Sequence, residues 1–403
     1  MINFSGRKTI RRKPVKIKSI EKFPLNLRPV KVGYRKEDRS SSVWASGVSS
    51  IIIRVNTDEG ISGLGEATTI TWYFNETQEG MMKLLSAYEE LLIGEDPFNI
   101  VNAHRKMDLV TGEDAPGCHS ARAAVDMALF DIIGKAQNRP VYEVLGGAYR
   151  TEFEMLTNLY EETPEEKARA CQEYVKRGFR GLKIKVGDIL LTEGWSIQNL
   201  KKEKEKLLAA LEAVPSDIYI DADANQSWGN AKIVLNLLEE LLQKKFYPNL
   251  SLEQPLHYLD IQGHSFLRKY SKVPIILDES VLSPEAMLQI AKNDAADRIV
   301  LKINRVGGFW QARKVIDICE AASIGISIDT MPFTKLGDTA ICHLAATIKD
   351  PYPVDAEGHL WFEDTPFKGG IEIKNGKAIL PEKPGLGVEL DEEKLKSMVK
   401  KVT

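Results

Sequence analysis

The sequence predicts an α/β barrel of the TIM type joined to an α+β N-terminal segment. Three observations predict it. The chain has 403 residues, 43% hydrophobic and 28% charged, an ordinary globular composition whose length fits two or three units, or one barrel with an appendage. Near Thr151 the pattern changes from strands followed by helices to short apolar segments alternating with amphipathic helices, the rhythm of a parallel sheet. Charged residues within those apolar segments gather at their C-terminal ends, the rim on which a barrel builds its active site.

In the N-terminal segment, Val15 to Leu27 and Val48 to Asn56 read as strands, and the turn Asp58-Glu59-Gly60 leads into Ile61 to Glu66 as a hairpin partner. Gln78 to Ile93 and Asn99 to Leu109 have helical spacing. Ser120 reads as an N-cap before the apolar face of Ala121, Ala124, Val125, Ala128, Leu129 and Ile132. Leu145-Gly146-Gly147 is a turn that closes the segment.

Eight strands follow: Phe153 to Leu159, Gly181 to Val186, Asp217 to Ala222, Leu250 to Glu253, Pro274 to Leu277, Arg298 to Ile303, Gly325 to Asp329 and Tyr352 to Asp355. Between them lie helical stretches such as Glu165 to Arg177, Leu200 to Ala213, Ala231 to Lys244, Pro284 to Asn293, Phe309 to Ala321 and Asp338 to Thr347. Spread over about 220 residues, this is the size of a closed eight-strand barrel; a doubly wound open sheet is the alternative. No helix clearly follows the eighth strand. Pro366 to Gly370, a hairpin-like IEIKNGKAIL and a charged final helix complete the chain.

Lys and Arg number 54 against 57 Asp and Glu, a net charge of −3, which argues against nucleic acid as a partner. The basic run Arg7 to Lys18 is isolated and reads as a solvated terminus. Four cysteines (Cys118, Cys171, Cys319, Cys342) form no C-x-x-C, and no His stands at zinc-finger spacing, so neither a disulfide framework nor structural zinc is expected. No apolar run approaches a membrane span, and the N-terminal charges lead into no apolar region. A cytoplasmic protein with no membrane partner is expected.

The chemistry sits on five strand ends. Lys183-Ile184-Lys185 ends strand two, Asp221-Ala222-Asp223 strand three, Leu252-Glu253 strand four, Leu277-Asp278-Glu279 strand five and Leu301-Lys302 strand six. Side chains two apart share a face of a strand, so Lys183 with Lys185, and Asp221 with Asp223, point into the mouth together. Asp223, Glu253 and Asp278 come from successive strands. Three acids left alone repel, and a hard divalent cation resolves that, Mg²⁺ rather than zinc because every donor is oxygen. The alternative is three separately solvated strand ends. Strands two and six face each other across an eight-strand ring, so a carbon held between their lysines can lose a proton on one face and regain it on the other. Lysine titrates near ~10.4, and a neighbouring ammonium with partial burial, as for Lys183 beside Lys185 with Mg²⁺ close by, is expected to lower it.

The motifs GLKIKVG, DADANQSW, LEQP, LDES and LKINRVGG, in this order, with PGCHSARAAVDMALFDIIGK (Pro116 to Lys135) and PGLGVE (Pro384 to Glu389), resemble the enolase superfamily and, within it, the muconate-lactonizing-enzyme subgroup. The resemblance covers nearly the whole chain. It implies a (β/α)7β barrel over residues 149–366, beneath an α+β capping domain of residues 1–148 to which a tail, 367–403, returns. It also implies Mg²⁺ on Asp223, Glu253 and Asp278, Lys185 as the base on one face, Lys183 as its electrostatic neighbour, and Lys302 as acid/base or cation on the other. The reaction implied is abstraction of the proton α to a carboxylate through an enediolate.

The second half of the reaction is left open among epimerisation, cycloisomerisation and β-elimination. The eighth strand ends Asp355-Ala356-Glu357, where the subgroup's dipeptide epimerases have Asp-x-Asp for the substrate's α-ammonium. Two acids beyond the metal favour a cationic substrate nitrogen, with a solvated pair as the alternative. The longer Glu357 admits an N-modified or cyclic amino acid as well as a dipeptide. Specificity is expected from Arg28 to Ser50, with Tyr34 and Trp44, from Thr69 to Thr77, with Trp72, Tyr73 and Phe74, and from Pro332, Phe333 and Thr334; these aromatics serve equally well as packing between domains. His119, His343 and His359 are not needed by this chemistry, and His343 in its helical pattern reads as structural. The leading expectation is a homo-oligomeric, Mg²⁺-dependent racemase or epimerase acting on a small carboxylate, an amino-acid derivative bearing an ammonium. A dehydratase of acid sugars or hydroxy-amino acids, a cycloisomerase and a non-catalytic ligand binder are the alternatives.

Overall fold

Strands β1 (Ile17–Leu27), β2 (Val48–Thr57) and β3 (Ser62–Thr69) form an antiparallel sheet in that order. The structure, a computed structural model, describes residues 15–27, 48–69, 76–111, 119–243, 245–362 and 364–399. The helices Gln78–Leu92 and Ile100–Thr111 fall where their spacing places them, and the long helix His119–Gln137 lies flat on β3. Two glycines allow that approach: a Cβ on Gly63 would stand 2.0 Å from the Ala128 carbonyl, and one on Gly65 1.8 Å from that of Ala124. Ser120 does not cap this helix. It lies inside the first turn, and its N–H and hydroxyl both donate to Glu76.

The predicted first barrel strand splits in two. Strand β4 (Glu152–Glu154) runs antiparallel against the tail, and only β5 (Leu156–Leu159) enters the barrel. It is followed by β6 (Gly181–Lys185), β7 (Tyr219–Asp223), β8 (Leu250–Glu253), β9 (Ile275–Leu277), β10 (Arg298–Leu301) and β11 (Gly325–Ile328), which pair in sequence order, all parallel. The eighth strand is a pair of isolated bridges, Met155 with Val354 and Asp329 with Asp355. Pro353 has no N–H to contribute to a ladder, so closure rests on Val354 N–H to Glu154 O at 2.8 Å, Asp355 N–H to Ile328 O at 3.0 Å and Leu156 N–H to Val354 O at 3.0 Å. These bonds join β11 to β5 and make a ring, which excludes the open doubly wound sheet.

The tail serves both ends of the molecule. Strands β12 (Phe367–Gly369) and β15 (Val388–Leu390) pair with each other, while the hairpin of β13 (Glu372–Lys374) and β14 (Lys377–Ile379) docks on β4. The final helix Glu392–Met398 returns to the N-terminal sheet, where Val399 bridges Leu25 and Glu392 pairs with Arg54. Among the described residues, no helix is long and apolar enough to cross a membrane, and Cys171, Cys319 and Cys342 are buried free thiols.

Candidate active site

Parallel register brings the strand ends together. Lys185 is opposite Asp223, which is opposite Glu253, and one pleat below Lys183 is opposite Asp221. All of these but Lys185 are almost fully buried, as are Asp278 and Lys302. Lys183 Nζ donates to both oxygens of Glu253, at 2.9 and 2.8 Å, and to Asp329 Oδ2 at 2.6 Å, with Asp221 at 3.7 Å. Lys185 donates to Asp223 Oδ2 at 2.5 Å, and Lys302 to Asp278 Oδ2 at 2.7 Å. Arg305 donates to the other oxygen of Asp278 at 2.5 Å and to its carbonyl at 2.6 Å.

The carboxylates decide the titration of Lys183 and Lys185. Burial disfavours each ammonium, but Asp329, Glu253 and Asp221 around Lys183, and Asp223 beside Lys185, outweigh it and hold both above the ordinary lysine value. Lys183 depresses Lys185, as expected of the pair, but less than Asp223 raises it while that carboxylate is its partner. Among the acids, burial and then Asp221 push Glu253 well up. Asp278 goes the other way, since Arg305 and Lys302 overcome its burial.

Among the described residues, no three His, Cys, Asp or Glu side chains stand together as a ready metal cage, because each acid of the triad is engaged by a lysine or arginine. The donor set nevertheless fits a hard cation. Three buried carboxylates on adjacent strands, with no nitrogen or sulfur ligand among them, lie where ammonium groups now supply the required positive charge.

The eighth strand departs from expectation in one respect. Asp355 and Glu357 are both buried at the rim, but Glu357 is tied to β5: one oxygen accepts from Thr157 Oγ1 at 2.6 Å, the other from Asn158 N–H at 2.8 Å and Asn158 Nδ2 at 3.1 Å. Asn158 Nδ2 also reaches Asp355 at 2.7 Å. Burial raises both acids, Asp329 and Glu357 adding to it at Asp355. Phe333 is wholly buried against Gly337, whose Cβ would stand 2.1 Å from its ring, so the structure gives it a packing place. Trp44 and Trp72, with Tyr34, Tyr73 and Phe74, lie outside the described residues.

Four further residues belong to the site. Asp329 carried the same signal as the other acids, a charge at a strand's C-terminal end, and Arg305 stood within the LKINRVGG motif; Thr157 and Asn158 are neutral and gave no signal. His343 is structural as expected: it accepts from Tyr142 N–H at 3.3 Å through Nδ1 and meets Leu386 O at 3.2 Å through Nε2. His359 pairs with Asp338 at 2.7 Å.

Comparison with known proteins agrees with this architecture. Residues 39–146 match the mandelate racemase / muconate lactonizing enzyme N-terminal domain, and residues 166–394 match the enolase C-terminal domain-like family. The N-succinyl-L-Arg/Lys racemase of Bacillus cereus is 33% identical over 88% of this chain and 91% of its own. Its crystal structure superposes with a TM-score of 0.83 over 95% of this chain and 98% of that one. The hydrophobic dipeptide epimerase of Enterococcus faecalis is 31% identical over 84% of this chain and 91% of its own. Its complex with Mg and L-Leu-L-Tyr superposes at 27% identity with a TM-score of 0.79, covering 94% of this chain and 100% of that one. More distantly, a cis-3-hydroxy-L-proline dehydratase of Roseibium aggregatum is 26% identical over 93% of this chain and 96% of its own. The chain belongs to the enolase superfamily, in its muconate-lactonizing-enzyme subgroup.

Proposed function

We propose that this chain is a Mg²⁺-dependent racemase or epimerase that removes and returns the proton α to the carboxylate of an amino-acid derivative. The observation that supports it is the placement of Lys185 at the end of β6 and Lys302 directly after β10, opposite each other in a closed ring, with Asp223, Glu253 and Asp278 ranged between them at the ends of β7, β8 and β9. Asp223, Glu253 and Asp278 would hold the Mg²⁺, which when bound supplies positive charge to the substrate carboxylate and to the charge that develops there as the proton leaves. Lys185 Nζ accepts or returns the proton on one face of the carbon, and Lys302 Nζ on the other. Lys183, held at three carboxylate oxygens, is a fixed charge rather than a proton carrier.

Deuterium exchange into candidate amino-acid derivatives tests this. Lys185→Ala is expected to exchange the α-proton of one stereoisomer only and Lys302→Ala that of the other, with inversion reduced by ~10²- to 10⁴-fold in both. Loss of both exchanges in Lys302→Ala would make Lys302 an electrostatic group. Near-normal turnover in that variant, with loss of water or ring closure in the product, would replace the isomerase by a dehydratase or cycloisomerase.

A further inference from the structure

Lys185 and Lys302 are anchored unequally. Lys302 Nζ meets two carboxylates, Asp278 Oδ2 at 2.7 Å and Asp329 Oδ2 at 3.7 Å, and Asp329 is not among the residues that would hold Mg²⁺. Lys185 Nζ meets one, Asp223 Oδ2 at 2.5 Å. A cation on Asp223 takes that partner away. Two groups then remain to Lys185: Asn225 Oδ1, at 3.4 Å, and the ring of Tyr160, whose centroid is 5.9 Å from Nζ. The first is long for a hydrogen bond. The second lies at the outer edge of the range in which an aromatic face attracts an ammonium, so it contributes little while Asp223 holds the nitrogen and more once the nitrogen moves to it.

The fold holds the ring in place. Tyr160 directly follows β5, the strand beside β6, and is half-buried. Both of its chain neighbours are held by one residue. Lys167, wholly buried on the helix Pro164–Lys176, donates from Nζ to Leu159 O at 2.8 Å and faces Glu161 Oε2 at 3.5 Å. A buried lysine is costly to place, and what this one secures is the segment that carries Tyr160. A ring also suits a proton-carrying nitrogen better than a further carboxylate, because its negative face attracts the charge without a lone pair to compete for the proton. We propose that Tyr160 receives the Lys185 ammonium when Mg²⁺ displaces it from Asp223, and so positions Lys185 at the mouth. This rests on the Mg²⁺ ligands of the function proposed above and not on its isomerase chemistry.

Titration calorimetry of the full chain with MgCl₂ tests it without a substrate. Tyr160→Leu is expected to weaken Mg²⁺ binding about 3- to 30-fold, the range of an ammonium–ring contact, whereas Tyr160→Phe, which keeps the ring, leaves it within about twofold. The effect has to pass through the lysine, so in a Lys185→Met background Tyr160→Leu is expected to change the affinity by less than about twofold. A merely structural role would weaken binding alike in both backgrounds. Should Tyr160→Leu fail to fold, Tyr160→Met carries the same comparison. A loss under about 3-fold, an equal loss in Tyr160→Phe, or a loss that persists beside Lys185→Met overturns the role of Tyr160 and leaves the Mg²⁺ ligands standing. Unchanged affinity in Asp223→Asn, or no Mg²⁺ binding by the parent, overturns both. Failure of every amino-acid derivative to exchange its α-proton in D₂O overturns the isomerase alone, since the affinities above are read without it.

Discussion

Buried carboxylates occur in two regions of this molecule, and their partners differ in kind. At the barrel mouth, Asp223, Glu253 and Asp278 are met by the side chains of Lys185, Lys183, Lys302 and Arg305. At the seam between the N-terminal unit and the barrel, the partners are mostly backbone. Glu66 on β3 accepts from Thr334 N–H at 2.8 Å and Gly337 N–H at 3.0 Å, at the start of the helix Lys335–Ala346, with the hydroxyls of Thr334 and Ser50 at 2.6 and 3.0 Å. Asp126 accepts from Phe309 N–H at 2.5 Å and Trp310 N–H at 3.3 Å, at the start of the helix Phe309–Ala322, and from His104 at 2.8 Å. Gly308 has to be glycine for this, since its φ is +106° and a Cβ would stand 2.4 Å from the Asp126 side chain.

Backbone donors at a helix N-terminus are fixed in place and complement negative charge, so the seam acids act as pins. Lysine ammonium groups sit on flexible stems and can exchange an acid for another cation, so the mouth acids are available to ligands. On the proposed function, the same residue types are therefore structural in one place and ligand-binding in the other, according to whether their counter-charge can move.

The contrast is sharpest in the mouth. Asp223→Asn, Glu253→Gln and Asp278→Asn are each expected to weaken Mg²⁺ binding at least about 100-fold, more than the loss of an outer-shell partner, with catalysis lost alongside and the urea midpoint staying near that of the parent. Titration calorimetry and urea unfolding check this together. Midpoints that fall as far as those of seam variants would erase the distinction between the regions.

Next in size is a pH effect at the seam. Burial pushes Glu66 up to about 7 against its four donors, from an ordinary 4.5. Its value is raised on folding, so its contribution to stability is full below pH ~4.5 and is lost as pH rises through about 7, some ~3 kcal/mol in all. Glu66→Gln lacks this dependence, so the stability difference between variant and parent should move by about that amount in the variant's favour between pH 4.5 and 7.5. A difference independent of pH would mean that the donors keep Glu66 ionised throughout.

The smallest expected effect is at Asp126. Asp126→Ala leaves the N–H groups of Phe309 and Trp310 and the His104 ring without their acceptor, which should cost about 2 kcal/mol in urea unfolding while Mg²⁺ affinity stays within about twofold, since the partners of Asp126 are not the acids that would hold the ion. A larger change in affinity would show that the seam pins also set the geometry of the mouth.

The sequence by itself determined the strand and helix rhythm and the five strand ends that carry lysines and acids, because a period of two and a charge at the end of an apolar run are local properties. The same rule applied to ISIDTMP would have found Asp329. Tertiary structure alone decided which donor meets which acid. Glu66 and Thr334 are 268 residues apart, Asp126 and Phe309 are 183 apart, and Thr157 lies 200 residues from the Glu357 that it holds. Nothing in the local pattern of either partner specifies the other, since such contacts exist only once the ring has closed and the tail has folded back. Glu357, read along its own strand, looked as open to a ligand as Asp355; its commitment to β5 follows from barrel closure, which places strand eight beside strand one.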